Sequence, residues 1–131
     1  MPSQWALRST GESLLPEERL RRRADFVRCY RQGRRRHGPL ATLHVVESKD
    51  SPGGPRLGIT VTRKVGGAVA RHRLKRQIRE IYRRWDQRRQ LPSCDIVVHV
   101  KPSASRAEFG ELQKEIQRQL HSLIRNRPQA G

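Results

Sequence analysis

The chain has 131 residues, enough for one domain around a single modest core, and only 34% of them are hydrophobic. Its 29 Lys and Arg against 12 Asp and Glu give a formal net charge of +17, a field that repels itself on folding and needs a polyanion to offset it. No apolar run approaches the roughly 20 residues that cross a bilayer, and Arg, whose planar fork suits phosphates and base edges, far outnumbers the five Lys, so nucleic acid is favoured over a membrane surface.

Residues 1–16 carry no periodic pattern and read as a mobile leader without the apolar stretch of a secretory signal. A single domain follows over 17–126, with a short tail at 127–131. The segment LRRRADFVRCYRQ predicts a helix from about Arg19 to Gln32, with Gly33 as its stop. Arg34, Arg35 and Arg36 form a cationic cluster that reads equally as an RNA contact or as a solvated charge run. Leu40 to Val46 alternates, placing Ala41, Leu43 and Val45 on one face of a strand and Thr42, His44 and Val46 on the other. Ser48 to Pro55 is a loop by its turn residues. Leu57 to Thr62 alternates again, with Leu57, Ile59 and Val61 inward and Gly58, Thr60 and Thr62 outward.

Val65, Gly66 and Gly67 break that strand and launch a long helix from Ala68 to about Arg88, which Pro92 keeps from continuing. Asp95 to Val100 is a nearly continuous apolar run, the pattern of a buried central strand. A last helix is expected from Ser105, with Glu108 completing a capping box and Phe109, Leu112, Ile116, Leu120 and Leu123 facing the core. The order of elements gives an α+β fold, a small sheet packed by helices. Cys29 and Cys94 have no C-x-x-C spacing and read as reduced, partly buried thiols of a cytoplasmic protein.

The long helix carries the chemistry. At 100° per residue Leu74, Ile78, Ile81 and Trp85, flanked by Ala70 and Tyr82, share the sector that packs on the sheet. His72, Lys75, Arg76, Arg79 and Arg83 line up on the other side, where the small Ala68 would let an RNA backbone come close. Between Arg63 and Arg89 there are 11 Lys and Arg but only two acids, Glu80 and Asp86. A solvated helix normally mixes signs to gain i,i+4 pairs; this one tolerates like-charge repulsion along a stripe.

The stretch GITVTRKVGGAVARHRLKRQIREIYRR, Gly58 to Arg84, resembles the signature region of the bacterial ribonuclease P protein component. That family's motif reads approximately A-x-x-R-N-R-x-K-R-x-x-R-E, and Ala68, Arg71, Arg73, Lys75, Arg76, Arg79 and Glu80 match it in register. The chain departs from it at His72, where the family usually has Asn, and at Gly67, where it often does; His still donates to a phosphate or base edge. The likeness spans roughly Leu20 to Ile124, with ADFVRCYRQG, RLGITV and DIVV in the family's order.

The resemblance implies a ribosomal protein S5 domain 2-like fold with a left-handed βαβ crossover, against the usual right-handed rule. It also implies an endonuclease, the ribonucleoprotein that removes 5′ leaders from precursor tRNA. Its RNA subunit would be the catalyst and would hold the Mg²⁺, and no protein partner or membrane would be required. By residue-wise correspondence Arg71, His72, Arg73, Lys75, Arg76, Arg79 and Arg83 would bind the RNA subunit. Phe26, Tyr30, His44, Arg63 and Lys64 would line the cleft for the single-stranded leader, where amphipathic rings suit unpaired bases.

No constellation in the chain points to protein catalysis. The acids are too scattered to hold Mg²⁺, and of the five His only His44 and His99 are expected to share a sheet face, with no orienting carboxylate evident. A structural RNA-binding protein of the ribosome is the alternative, and a DNA-binding regulator a more distant one, since no dimer surface or free recognition helix is evident.

Overall fold

A computed structural model describes residues 18–47 and 54–125. The leader at 1–16, the tail at 127–131 and most of the Ser48–Pro55 loop lie outside the described residues. Four strands, β1 (Arg34–His37), β2 (Ala41–Glu47), β3 (Arg56–Thr60) and β4 (Cys94–Val100), form one sheet in the order β1-β2-β4-β3. β1 and β2 are an antiparallel hairpin, β2 runs antiparallel to β4, and β3 runs parallel to β4. Three helices complete the fold: α1 (Arg23–Gln32), α2 (Ala68–Arg84) and α3 (Phe109–Arg125). α2 joins the parallel strands β3 and β4, as a βαβ unit requires.

β4 is central, and its apolar run serves both faces of the sheet. Ile96, Val98 and Val100 join Leu43, Val45 and Leu57 under α2 and α3, meeting Leu74, Ile78, Ile81, Leu112, Ile116 and Leu120 in the main core. Val97 faces the opposite way, into a smaller core with Leu20 and Cys29, against which Phe26 and Val46 pack. The sheet is therefore covered on both faces, by α2 and α3 on one side and α1 on the other.

Several expectations need correction. α1 starts at Arg23 and not Arg19: residues 19–20 are extended, Arg19 bridges to Leu57, and the Leu20 N–H bonds to the Leu57 carbonyl at 2.9 Å. That pairing covers the free edge of β3. Gly33 ends α1 with an ordinary φ of −75°, so it is no left-handed cap. A Cβ there would collide with the Cys29 carbonyl and lie 3.1 Å from the Val45 amide nitrogen, so the position demands a residue without one. The Arg34–Arg36 cluster, with no apolar alternation of its own, is edge strand β1.

α2 ends at Arg84, and Asp86–Gln90 is a separate 3-10 turn beyond Trp85. The last α-helix starts at Phe109, after a 3-10 turn at Pro102–Arg106. The reciprocal cap there is Glu111, whose Oε1 accepts from the Glu108 N–H at 3.0 Å, while Ser105 bonds to the Pro102 carbonyl. Phe109 sits in the first turn and is 41% exposed instead of in the core.

Candidate nucleic-acid interface

α2 presents its expected stripe. Leu74, Ile78, Ile81, Tyr82 and Trp85 are buried, so the sector beside them is fixed by packing. His72, Arg73 and Arg76 are exposed, and Arg71, Lys75 and Arg79 are half-buried. None of these six has an ion-pair partner among the described residues. Arg79 lies near Arg19, and burial together with that neighbour lowers its pKa. The Nε of Arg71 is buried with no hydrogen-bond partner among the described residues, in keeping with its place at the edge of the apolar sector.

Arg83 differs from the rest of the expected stripe. It is bonded to Glu80, which also holds Arg84 at 2.5 Å, and its side chain is only 15% exposed. At its start α2 has no side-chain cap and no acid in its first turn, and Val69 there is 82% exposed. The positive end of the helix dipole therefore adds to the cationic side chains.

The second surface lies on the face of the sheet that α1 covers only in part. α1 is clamped there by Asp95, a fully buried carboxylate that accepts from Arg28 at 2.6 Å and twice from Arg56, at 2.9 and 2.8 Å. Phe26 packs in the smaller core; a Cβ on Gly58 would stand 2.6 Å from its Cζ, so glycine makes the floor under that ring. One turn on, Tyr30 reaches past the covered area. Its ring centroid is 4.6 Å from that of His44 and 5.7 Å from that of His99, and its Oη hydrogen-bonds His99 Nδ1 at 2.8 Å.

His44 is 8% exposed, and its buried Nδ1 has no partner among the described residues. Burial, with His99, Arg35 and His37 nearby, lowers its pKa, and burial alone does so for His99. The register explains the grouping: His99 lies between Thr42 on β2 and Thr60 on β3, and His37 lies opposite Thr42. Arg63 and Lys64 are exposed in the turn that follows β3. Tyr30 and His44 thus come from two elements onto one face of the sheet, with Phe26 packed in the smaller core beneath, while Arg63 and Lys64 stand in the turn beyond β3. His99, Thr60 and His37 were not among the expected leader-binding residues, and Arg35 was expected only as a member of the Arg34–Arg36 cluster, with RNA contact and a solvated charge run equally open. The alternation of DIVVHV was the one available signal for His99, and it gives no hint of the Tyr30 contact.

Several acids are engaged by arginines or backbone amides. Besides Asp95 and Glu80, Glu115 is buried and accepts from the Leu40 and Ala41 N–H groups, and Glu18 and Asp25 pair with Arg88 and Arg56. No group of three or more His, Cys, Asp or Glu able to hold a metal ion occurs among the described residues. Cys29 and Cys94 are buried free thiols, and burial beside Asp95 pushes each pKa up to about 12. Among the described residues no helix is long and apolar enough to cross a membrane.

Known proteins resemble this chain in sequence and fold. A family model described as Ribonuclease P matches residues 14–124. The ribonuclease P protein component of Brucella suis is 37% identical over 109 residues, covering 78% of this chain and 77% of that one. That of Thermobifida fusca is 37% identical over 125 residues, covering 90% and 84%. Among solved structures, the RNase P protein from Thermotoga maritima superposes with a TM-score of 0.69 at 32% identity, covering 85% of this chain and 99% of that one. With the family model matching most of the chain, and with the basic helix and the small sheet both present in the folded molecule, the chain belongs to the ribonuclease P protein family.

Proposed function

We propose that the protein is the RNA-binding subunit of a cytoplasmic ribonuclease P ribonucleoprotein, holding the RNA subunit on α2 and the 5′ leader of precursor tRNA against the sheet face beside Tyr30. The observation that carries this reading is the cationic stripe of α2, whose Arg71, Arg73, Lys75, Arg76 and Arg79 have no ion-pair partner among the described residues, on the side of the sheet opposite the ring cluster at Tyr30. Arg76, with Arg71, His72, Arg73, Lys75 and Arg79 around it, meets phosphates of the RNA subunit. Arg83, held by Glu80, contributes less than its place in the motif suggests. Tyr30 offers a 37% exposed ring to an unpaired base, and Arg63 and Lys64 neutralise the leader backbone.

The chain supplies binding and orientation, and the RNA subunit supplies the reaction and holds the Mg²⁺ that reaction uses. His44 and His99, with ring centroids 6.4 Å apart, are the nearest approach to an acid–base pair. His44, however, lies buried under Tyr30, whose hydroxyl already occupies His99 Nδ1. Asp95, Glu80, Glu115, Glu18 and Asp25 are committed to arginines and backbone amides, and no step is routed through a metal held by this chain.

Reconstitution with a bacterial ribonuclease P RNA tests the reading. Precursor cleavage at low Mg²⁺ should depend on the protein. Arg76→Ala with Arg79→Ala should weaken binding of the RNA subunit roughly tenfold, as for the loss of two solvent-exposed ion pairs with phosphates. Tyr30→Ala should leave that binding intact and reduce the preference for leader-bearing over mature tRNA by a comparable factor, the worth of one stacked base. Equal loss of the same function in both variants would sink the two-surface assignment.

A further inference from the structure

The arginines of β1 belong to neither surface described so far. Arg34, Arg35 and Arg36 sit on an edge strand paired only with β2, and none has an ion-pair partner among the described residues. Because side chains alternate along a strand, these three charges divide between the two faces of the sheet. Arg35 stands opposite His44 and His37 opposite Thr42, on the face that carries Tyr30 and His99. Arg34 and Arg36 stand opposite Val45 and Leu43, whose side chains enter the main core, and so project to the other face.

Independent contacts place Arg35 and His37 beside the cleft. His37 Nδ1 is 3.4 Å from the Thr42 hydroxyl, and both residues act electrostatically on His44. A polar row consequently runs across all four strands, Thr60–His99–Thr42–His37, with Arg35 and His44 alongside. At the usual spacing between strands it is about 14 Å long. α1 covers the Asp95 end of this face; Thr42 and His44 are buried in the middle of the row, and its β1 end, with Arg35 and His37, is exposed.

We infer that single-stranded RNA leaving the cleft at Tyr30 continues across this row to the edge of the sheet, where Arg35 binds its backbone, so that the protein reads a longer leader than the cleft alone would hold. The occupant is a phosphodiester chain because the exposed end of the row carries Arg35, a cation with no ion-pair partner among the described residues, beside the hydrogen-bonding His37 and next to His44 of the cleft. The inference rests on the cleft being the leader site. A charged edge strand also deters pairing between molecules, but that role is indifferent to which face each charge occupies. Leader contact is not.

The alternation supplies the test. In the reconstituted holoenzyme, kcat/KM would be measured for precursors whose leaders lengthen one nucleotide at a time from none. Wild type, Arg35→Gln, Arg36→Gln and Tyr30→Ala would be compared. The two Arg variants lose the same charge, one residue apart, on opposite faces. Arg35→Gln should lose roughly two- to fivefold, the worth of one exposed ion pair, and only for leaders long enough to cross the sheet. Arg36→Gln should follow wild type throughout. Equal losses in both variants would mean a diffuse field, no loss in either would mean a solvated strand, and a loss already present without a leader would mean contact with the RNA subunit. Each of these overturns the inference. If Tyr30→Ala also leaves the leader preference untouched, the cleft assignment fails with it; if Tyr30→Ala responds and Arg35→Gln does not, only the extension fails.

Discussion

Tyr30, His44 and His99 form one ring cluster in which burial holds both imidazoles toward the neutral form and His99 adds to the effect on His44. Both imidazoles have pKa values lowered from 6.5, so as pH falls through that range the unfolded chain takes up protons that the folded chain refuses. The stability these two groups contribute is therefore complete above about pH 6.5 and is lost as pH drops through their lowered values. Denaturant midpoints measured from about pH 5 to 8 should fall toward acid, and His44→Gln with His99→Gln should flatten the profile. Parallel profiles would show that neither group resists protonation in the fold. Tyr30 and His44 were legible in the sequence because amphipathic rings stood on a helix turn and on the polar face of a strand. His99 was expected to share His44's sheet face, as it does, but not to belong to the site, because that follows only once Tyr30, 69 positions away, is seen to bond to it.

Among the elements, those with strong periodicity were read correctly. Leu74, Ile78, Ile81 and Trp85 placed the buried face of α2, and the apolar run of DIVVHV placed β4 at the centre of the sheet. β1 was missed for a physical reason: RRRH carries no apolar alternation, and its strand geometry comes from pairing with β2. The starts of α1 and α3 were set too early for a related reason. Arg19 and Ser105 suit a helix locally, yet the backbone at 19–20 is taken by β3 and that at 102–106 closes as a 3-10 turn. Gly33 shows a residue predicted for one reason and required for another. Its backbone lies against Cys29 and Val45, where α1 hands over to β1, so Gly33→Ala should destabilise the fold by about 2 kcal/mol through overpacking. Urea unfolding would measure it; an unchanged midpoint would mean that α1 shifts freely away from β2, contrary to the clamp at Asp95.

Over the whole molecule, the net charge of +17 leaves most cations without an acid to pair with, and among the described residues many of these lie on α2 and β1. Asp95, Glu80, Glu115 and Glu18 are spent on arginines and backbone amides, leaving the α2 stripe and the β1 edge unbalanced among the described residues. That arrangement predicts salt effects of opposite sign for folding and for binding. In the free protein the cations repel one another, and added salt, which shortens the screening length to about 8 Å at physiological strength, should raise the melting temperature. With RNA the same cations release condensed counterions, so log affinity should fall with log salt by roughly 0.7 to 0.9 per phosphate contacted. Arg76→Ala with Arg79→Ala should reduce both slopes together, since it removes two charges from the repelling set and two phosphate contacts from the complex. Melting of the free chain and RNA-subunit affinity, each measured across the same salt series, would check this. A melting temperature that ignores salt while affinity falls steeply would mean the stripe is too dispersed to strain the fold, and the link between the two slopes would be lost.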